Sequence, residues 1–241
     1  MGANDRSAIL RRIVGEGTTE LESERLCSAC AEITGMSGAG IMLISGDVPR
    51  GSVCTTNEVS RVIEELQYSL GEGPCVDAYN LDAAVLEPNL AHPTVSRWVA
   101  FTPPALAAGV RAIFGFPMQI GAVRLGALNL YSDRPGALTD EQHANALTMA
   151  GIAAQAVLIM QAGAPTGTLA GELETSADFQ SVVHQASGMI AAQLDVSVAH
   201  ALIRLRAHAF GNGRRLPDVA RAVVARELRF NASSGEKDAL P

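Results

Sequence analysis

Between residues 162 and 175 the chain reads AGAPTGTLAGELET, a run rich in glycine, proline and threonine set between two long segments of apolar periodicity. Such a composition stops regular structure: proline removes a backbone donor, glycine settles in no single backbone well, and neither buries much apolar area. A chain of 241 residues broken at this point is expected to fold as two units, and with 48% apolar residues each has enough to build its own core. The division predicted is 1–161 for a first domain, 162–175 for a linker, 176–232 for a second domain and 233–241 for a flexible tail.

The first domain mixes two periods. Thr19 followed by Glu22 has the spacing of a capping box and opens a helical pattern that Gly35 stops. Strand-like runs at 39–45 and 51–57 flank a Gly46-Asp47 turn, with Pro49 beside it, and predict a hairpin. Val59, Val62, Ile63, Leu66 and Leu70 return to helical spacing, which the glycines of LGEGPC end; Pro74 is read as a turn. After an irregular stretch come a short helix near 105–108 and strands at 110–119 and 126–132. Thr139 and Gln142 form a second capping box ahead of an alanine-rich helix reaching about Met160. The expectation is an α+β domain, an antiparallel sheet with flanking helices that gather on one face.

The second domain is predicted to be all-α, with three helices. Phe179, Val182, Val183, Ala186, Met189, Ile190 and Leu194 make one apolar face; Ser197 is a cap for a helix through Leu202, Leu205, Ala209 and Phe210 that Gly211 closes. Pro217 suits the first turn of a third helix carrying Val219, Ala220, Val223, Val224 and Leu228. The chain has a net charge of −7, yet from Asp195 to Arg229 seven arginines face only Asp195, Asp218 and Glu227. By itself a charge run is usually a solvated face, but this asymmetry also suits a polyanion partner.

Set in order, HQASGMIAAQLDVSVAHALIRLRAHAFGNGRRLPDVARAVV resembles the ANTAR domain, a three-helix RNA-binding module of transcription antitermination regulators. Ala186, Gly188, Met189, Val196, Ser197, Ala201, Leu205, Arg206, Leu216, Asp218, Val219 and Ala220 carry the match. Three positions depart from the family pattern: Ser187 replaces the usual lysine, His200 a frequent glutamate, and Arg215 a lysine. LGEGPCVDA and GFPMQIGAVRLGALNLYSDRPGALTDEQ make the first domain similar to GAF domains, which are paired with ANTAR in many actinobacterial regulators. The pairing implies a homodimer, a small-molecule ligand for the GAF domain, and a dual hairpin antiterminator RNA as partner.

On this reading Arg204, Arg206, Arg214, Arg215 and Arg221 converge near the turn before the third helix and grip hairpin phosphates. Loop bases would be read at their exposed edges, because side chains do not enter the A-form major groove. Ser187 is the weakened phosphate contact, Ala220 a point of close backbone approach, and Phe210, the one aromatic in reach, is read as core. Cys75, Trp98, Phe114 and Phe116 are candidates for the wall of a ligand pocket, and equally for plain packing.

Other chemistry finds little support. Cys27, Cys30, Cys54 and Cys75 are too few and scattered for a disulfide framework, and Cys27-x-x-Cys30 without a second pair reads as small buried apolar residues. His92, His143, His184, His200 and His208 lack metal-site spacing, and no Ser/His/Asp or Cys/His arrangement is present, so no enzyme, metal or cofactor is expected. The first residues lack a secretory apolar core, Arg6 breaks a myristoylation motif, and the apolar run at 150–160 is too short to span a bilayer, which predicts a cytoplasmic protein. Two alternatives remain open at this point: a DNA-binding regulator of helix-turn-helix type, and a GAF-based enzyme or protein-interaction module with a passive helical tail.

Overall fold

A computed structural model describes residues 23–45, 48–162 and 178–231. The Thr19–Glu22 capping box, the Gly46-Asp47 turn, the linker and the tail lie outside the described residues. The chain divides into two compact units, Met1–Ser176 and Ala177–Pro241.

In the first unit, α1 (Ser23–Thr34) leads into β1 (Gly38–Ser45) and β2 (Val48–Thr55), then α2 (Glu58–Leu70), α3 (Pro74–Leu81), β3 (Val85–Glu87), α4 (Thr102–Ala107), β4 (Ala112–Ile120), β5 (Val123–Ser132) and α5 (Asp140–Ala162). The five strands pair antiparallel in the order β2-β1-β5-β4-β3. On one face, α1 and α5 close over Ala39, Ile41, Leu43, Phe114, Phe116, Met118, Leu128 and Leu130. The alternate residues of β1, β4 and β5 turn to the other face, where α2 and α3 pack. Helices on both faces correct the one-face expectation. The central part of β5 is buried without alternation because both of its sides are covered.

Local signals set the helix ends. Asn57 Oδ1 accepts the Ser60 N–H and Ser60 Oγ accepts the Asn57 N–H, both at 2.9 Å, and α2 ends at Gly71 with φ 68°. At α5, Gln142 Oε1 accepts the Thr139 N–H at 3.0 Å and Thr139 Oγ1 accepts the Gln142 N–H at 3.2 Å. Pro74 opens α3 rather than a turn, its fixed φ suiting a first helical turn where no donor is needed. Alanines at 146, 150, 153, 154 and 156 let α5 lie close against the sheet and α1. By length and composition α5 would also cross a membrane, but half of its most apolar window is buried inside this unit.

Cys27 of α1 is disulfide-bonded to Cys54 of β2, with Cα atoms 5.9 Å apart. This corrects the reading of Cys27 as a plain apolar residue: a pair made by tertiary packing leaves no spacing signature. Cys30 and Cys75 are free and buried. The bond joins residues 27 apart in sequence, for which chain entropy gives roughly 3.5 kcal/mol. Cys54→Ser, or reduction of the native protein, is therefore expected to lower the thermal midpoint of this unit by several degrees, and identical melts with and without reductant would contradict the bond's contribution.

The second unit is three helices, α6 (Asp178–Leu194), α7 (Val198–Gly211) and α8 (Leu216–Val224). Ser197 caps α7 by accepting the His200 N–H at 3.2 Å, and the chain turns 106° from α6 to α7. Val183, Ala186 and Ile190 of α6, Ala201, Leu202, Leu205 and Ala209 of α7, and Leu216, Val219, Ala220 and Val223 of α8 form the buried set. Gly213, at φ 60°, supplies the left-handed residue the tight α7–α8 turn requires, and Pro217 sits in the first turn of α8.

Candidate functional site

In the second unit the arginines do not share one face. Arg204 and Arg206 lie about 160° apart around α7 at 3.6 residues per turn, on opposite flanks of the buried Ala201–Leu205–Ala209 stripe. Arg204 is exposed and Arg206 half-buried. Arg214 and Arg215 are exposed in the turn, and Arg215, Asp218 and Arg221 follow at spacings of three along the outer side of α8. Arg221 Nη1 contacts Asp218 Oδ1 at 2.5 Å, so part of its charge is already answered. Arg226 and Arg229, absent from the predicted set, are also exposed beyond α8.

Two predicted contacts are corrected by burial. Ser187 is 1% exposed and its Oγ donates to the Val183 carbonyl at 2.8 Å, so it faces the helix core rather than a phosphate. Ala220 is fully buried among the three helices, which removes it as a surface for close approach. Phe210 departs the other way. It is 69% exposed, one turn beyond Arg206 on the solvent side of α7, where an aromatic face is open to stacking.

In the first unit the four predicted pocket residues are split by the sheet. Phe114 and Phe116 belong to the core under α1 and α5, Phe116 meeting His143 edge-to-face at 5.6 Å, which corrects their assignment to a wall shared with Cys75. Strand alternation explains it: Gly115 between them is the residue that faces α3, and a Cβ there would lie 2.3 Å from the Pro74 carbonyl oxygen. Trp98 does reach α3. Its Nε1 donates to Asp77 at 2.9 Å, two residues beyond Cys75, its ring meets Phe101 edge-to-face at 6.0 Å, and its backbone holds φ 56°.

The second face of the sheet carries a polar cluster that hydrophobic periodicity did not reveal. Gly40, Asn129 and Gly115 stand in register across β1, β5 and β4. The glycine at 40 lets the Glu64 side chain of α2 come down onto the sheet, where a Cβ would meet Glu64 Oε1 at 2.7 Å. Glu64 is 2% exposed and Gln67 and Asn129 are fully buried. Gln67 Oε1 accepts the Cys75 backbone N–H at 2.7 Å. Closed off from solvent, the Glu64 side chain hydrogen-bonds Asn129 and the Gln67 side chain reaches the Cys75 thiol. Burial pushes Glu64 up to about 8, against a weaker opposing pull from Asn129. The Cys75 thiol is also pushed up, by burial first and by Glu64 second, which makes it a poor nucleophile. Among the described residues no group of three His, Cys, Asp or Glu side chains comes together to hold a metal.

Comparison with known proteins places both units. The GAF domain model matches residues 23–158 and the ANTAR domain model residues 171–224. The first match covers more than half of the chain, so this protein belongs to the GAF-domain family, and an ANTAR domain follows its GAF domain. No curated protein matches the chain. Similar solved structures include the GAF domain of a phosphoenolpyruvate-protein phosphotransferase from Acinetobacter, at 14% identity and a TM-score of 0.47, covering 68% of this chain and 99% of that one. The corresponding GAF domain from Coxiella burnetii is 16% identical with a TM-score of 0.48, over 66% of this chain and 98% of that one. A type II free methionine-R-sulfoxide reductase from Thermoplasma acidophilum is 15% identical with a TM-score of 0.41, over 56% and 91%.

Proposed function

We propose that this protein is a cytoplasmic, signal-responsive regulator of the actinobacterial type, in which a GAF sensor controls an ANTAR domain that binds RNA hairpins and promotes transcription antitermination. The observation that carries the reading is the ANTAR match over α6–α8 together with arginines left exposed at 204, 214, 215 and 221 in an otherwise acidic chain. Arginine's planar fork suits phosphate oxygens, and exposed Phe210 adds a stacking surface of the kind unpaired loop bases use. Binding of a paired-hairpin antiterminator would favour it over the terminator and let polymerase continue. No catalytic step is part of the reading.

The functional unit is proposed to be a homodimer. The apolar stripe of α6 is consumed within its own unit, whereas α5 keeps Leu147, Leu158 and Ile159 exposed and is the better candidate for a contact between copies. The test is competition for the full chain between a fluorescent paired-hairpin RNA and duplex DNA of equal length at one salt concentration. Preference for the hairpin is expected; preference for the duplex would favour a helix-turn-helix regulator, and binding to neither a passive tail.

A further inference from the structure

We propose that residues 225–230, which lie beyond the family match, fold back as a strap that adds Arg229 to the RNA-binding surface, against the flank of α7 that carries Arg204 and His208. This rests on reading the second unit as RNA-binding and is independent of any signal sensed by the first. The ANTAR match ends at residue 224, where α8 also ends, yet the chain stays on the unit beyond that point. The Glu227 and Leu228 N–H groups donate back to the Ala222 carbonyl at 2.9 and 3.1 Å, and Arg226 reverses the chain in the left-handed conformation, at φ 62°. A non-glycine residue rarely adopts that conformation, so contacts further along have to hold the return. Phe230 makes them at two points. Its N–H donates to Gln193 Oε1 of α6 at 3.0 Å, and its ring meets the His208 ring of α7 edge-to-face at 5.3 Å.

The strap brings charge to a flank that already carries some. Arg204 and His208 stand one turn apart, about 40° around α7, on the side away from Arg206 and Phe210. Phe230 rests on His208, and Arg229, next to it in the chain, is exposed. The α7–α8 turn starts from the same residue: the Asn212 N–H and Nδ2 both donate to the His208 carbonyl, at 3.2 and 2.8 Å. His208 therefore ties the strap to the turn that carries Arg214 and Arg215. Arg204 and Arg229 make no ion pair among the described residues, whereas Arg221 is held by Asp218. Within the strap Glu227 is exposed and opposes Arg226 and Arg229, which leaves a positive surplus. A guanidinium without a carboxylate partner is available to a phosphate, and a strap pinned at Phe230 presents it with less ordering left to do on binding.

The experiment measures the affinity of the full chain for a paired-hairpin RNA by fluorescence anisotropy across a salt series, with a thermal melt of each protein. Arg229→Ala is expected to leave the melt unchanged, to weaken binding roughly 3- to 10-fold near physiological salt and to make the salt slope shallower by about 0.7–0.9. Arg229→Lys, which keeps the charge, is expected to restore the slope. Phe230→Ala is expected to weaken binding too, and the double variant to lose less than the product of the two single losses, because an arginine on a released strap is no longer held beside α7. Arg229→Ala decides the matter alone if Phe230→Ala melts below the assay temperature. Wild-type affinity and slope in Arg229→Ala, or single losses that simply multiply, would overturn the strap's part in binding and leave hairpin recognition by the turn arginines standing. A wild type that binds no hairpin would overturn both.

Discussion

Replacing Glu64 by glutamine is expected to stabilise the first unit at pH 8 by several kcal/mol and to flatten its dependence on pH. The folded protein holds the Glu64 proton up to about pH 8, whereas an unfolded chain releases it near the ordinary glutamate value. Below that ordinary value both states are protonated and the wild type is at its most stable. As pH rises toward 8 the native state alone keeps the proton, and stability falls by about 1.4 kcal/mol per pH unit at most before levelling off. Cys75 faces Glu64 from α3 and stays a neutral thiol across this window, while β1 and β5 present Gly40 and Asn129. Urea melts of both proteins from pH 5 to 9 provide the check: the difference between them should widen with pH up to about 8 and then level off, and a constant difference would mean that Glu64 does not carry a buried proton.

The second large effect is expected at the α7–α8 turn. Arg214→Ala together with Arg215→Ala removes two exposed cations and no buried contact, so stability should hold within about 0.5 kcal/mol. Hairpin affinity is expected to fall roughly 10- to 100-fold near physiological salt, with the salt slope shallower by about 2. Arg221→Ala should cost less, because Asp218 already shares its guanidinium. An unchanged affinity in the double variant, measured by fluorescence anisotropy, would move the binding surface elsewhere.

Most helix ends were legible because the signals are local. The Thr139–Gln142 box, the Ser197 cap and Pro217 act within four residues of where they stand. The polar cluster was not legible, for a physical reason: α2 turns Ser60, Glu64 and Gln67 inward beside Ile63 and Tyr68, and leaves Val59, Val62, Leu66 and Leu70 only half-buried. A helix face chosen by a polar cluster runs against the periodicity that apolar residues announce. Ser187 misled in the opposite sense, since a serine on a helix satisfies itself on the preceding turn and can be buried without a partner from another element. The disulfide and the separation of Phe114 and Phe116 from Cys75 needed the sheet's register, which no single segment contains.

The most direct measurement is the affinity of the full chain for a paired-hairpin RNA across a salt series. If the exposed arginines of the ANTAR unit neutralise four or five phosphates, log affinity should fall linearly with log salt with a slope of about −3 to −4. A flat salt dependence, or tighter and equally steep binding to duplex DNA, would contradict the account.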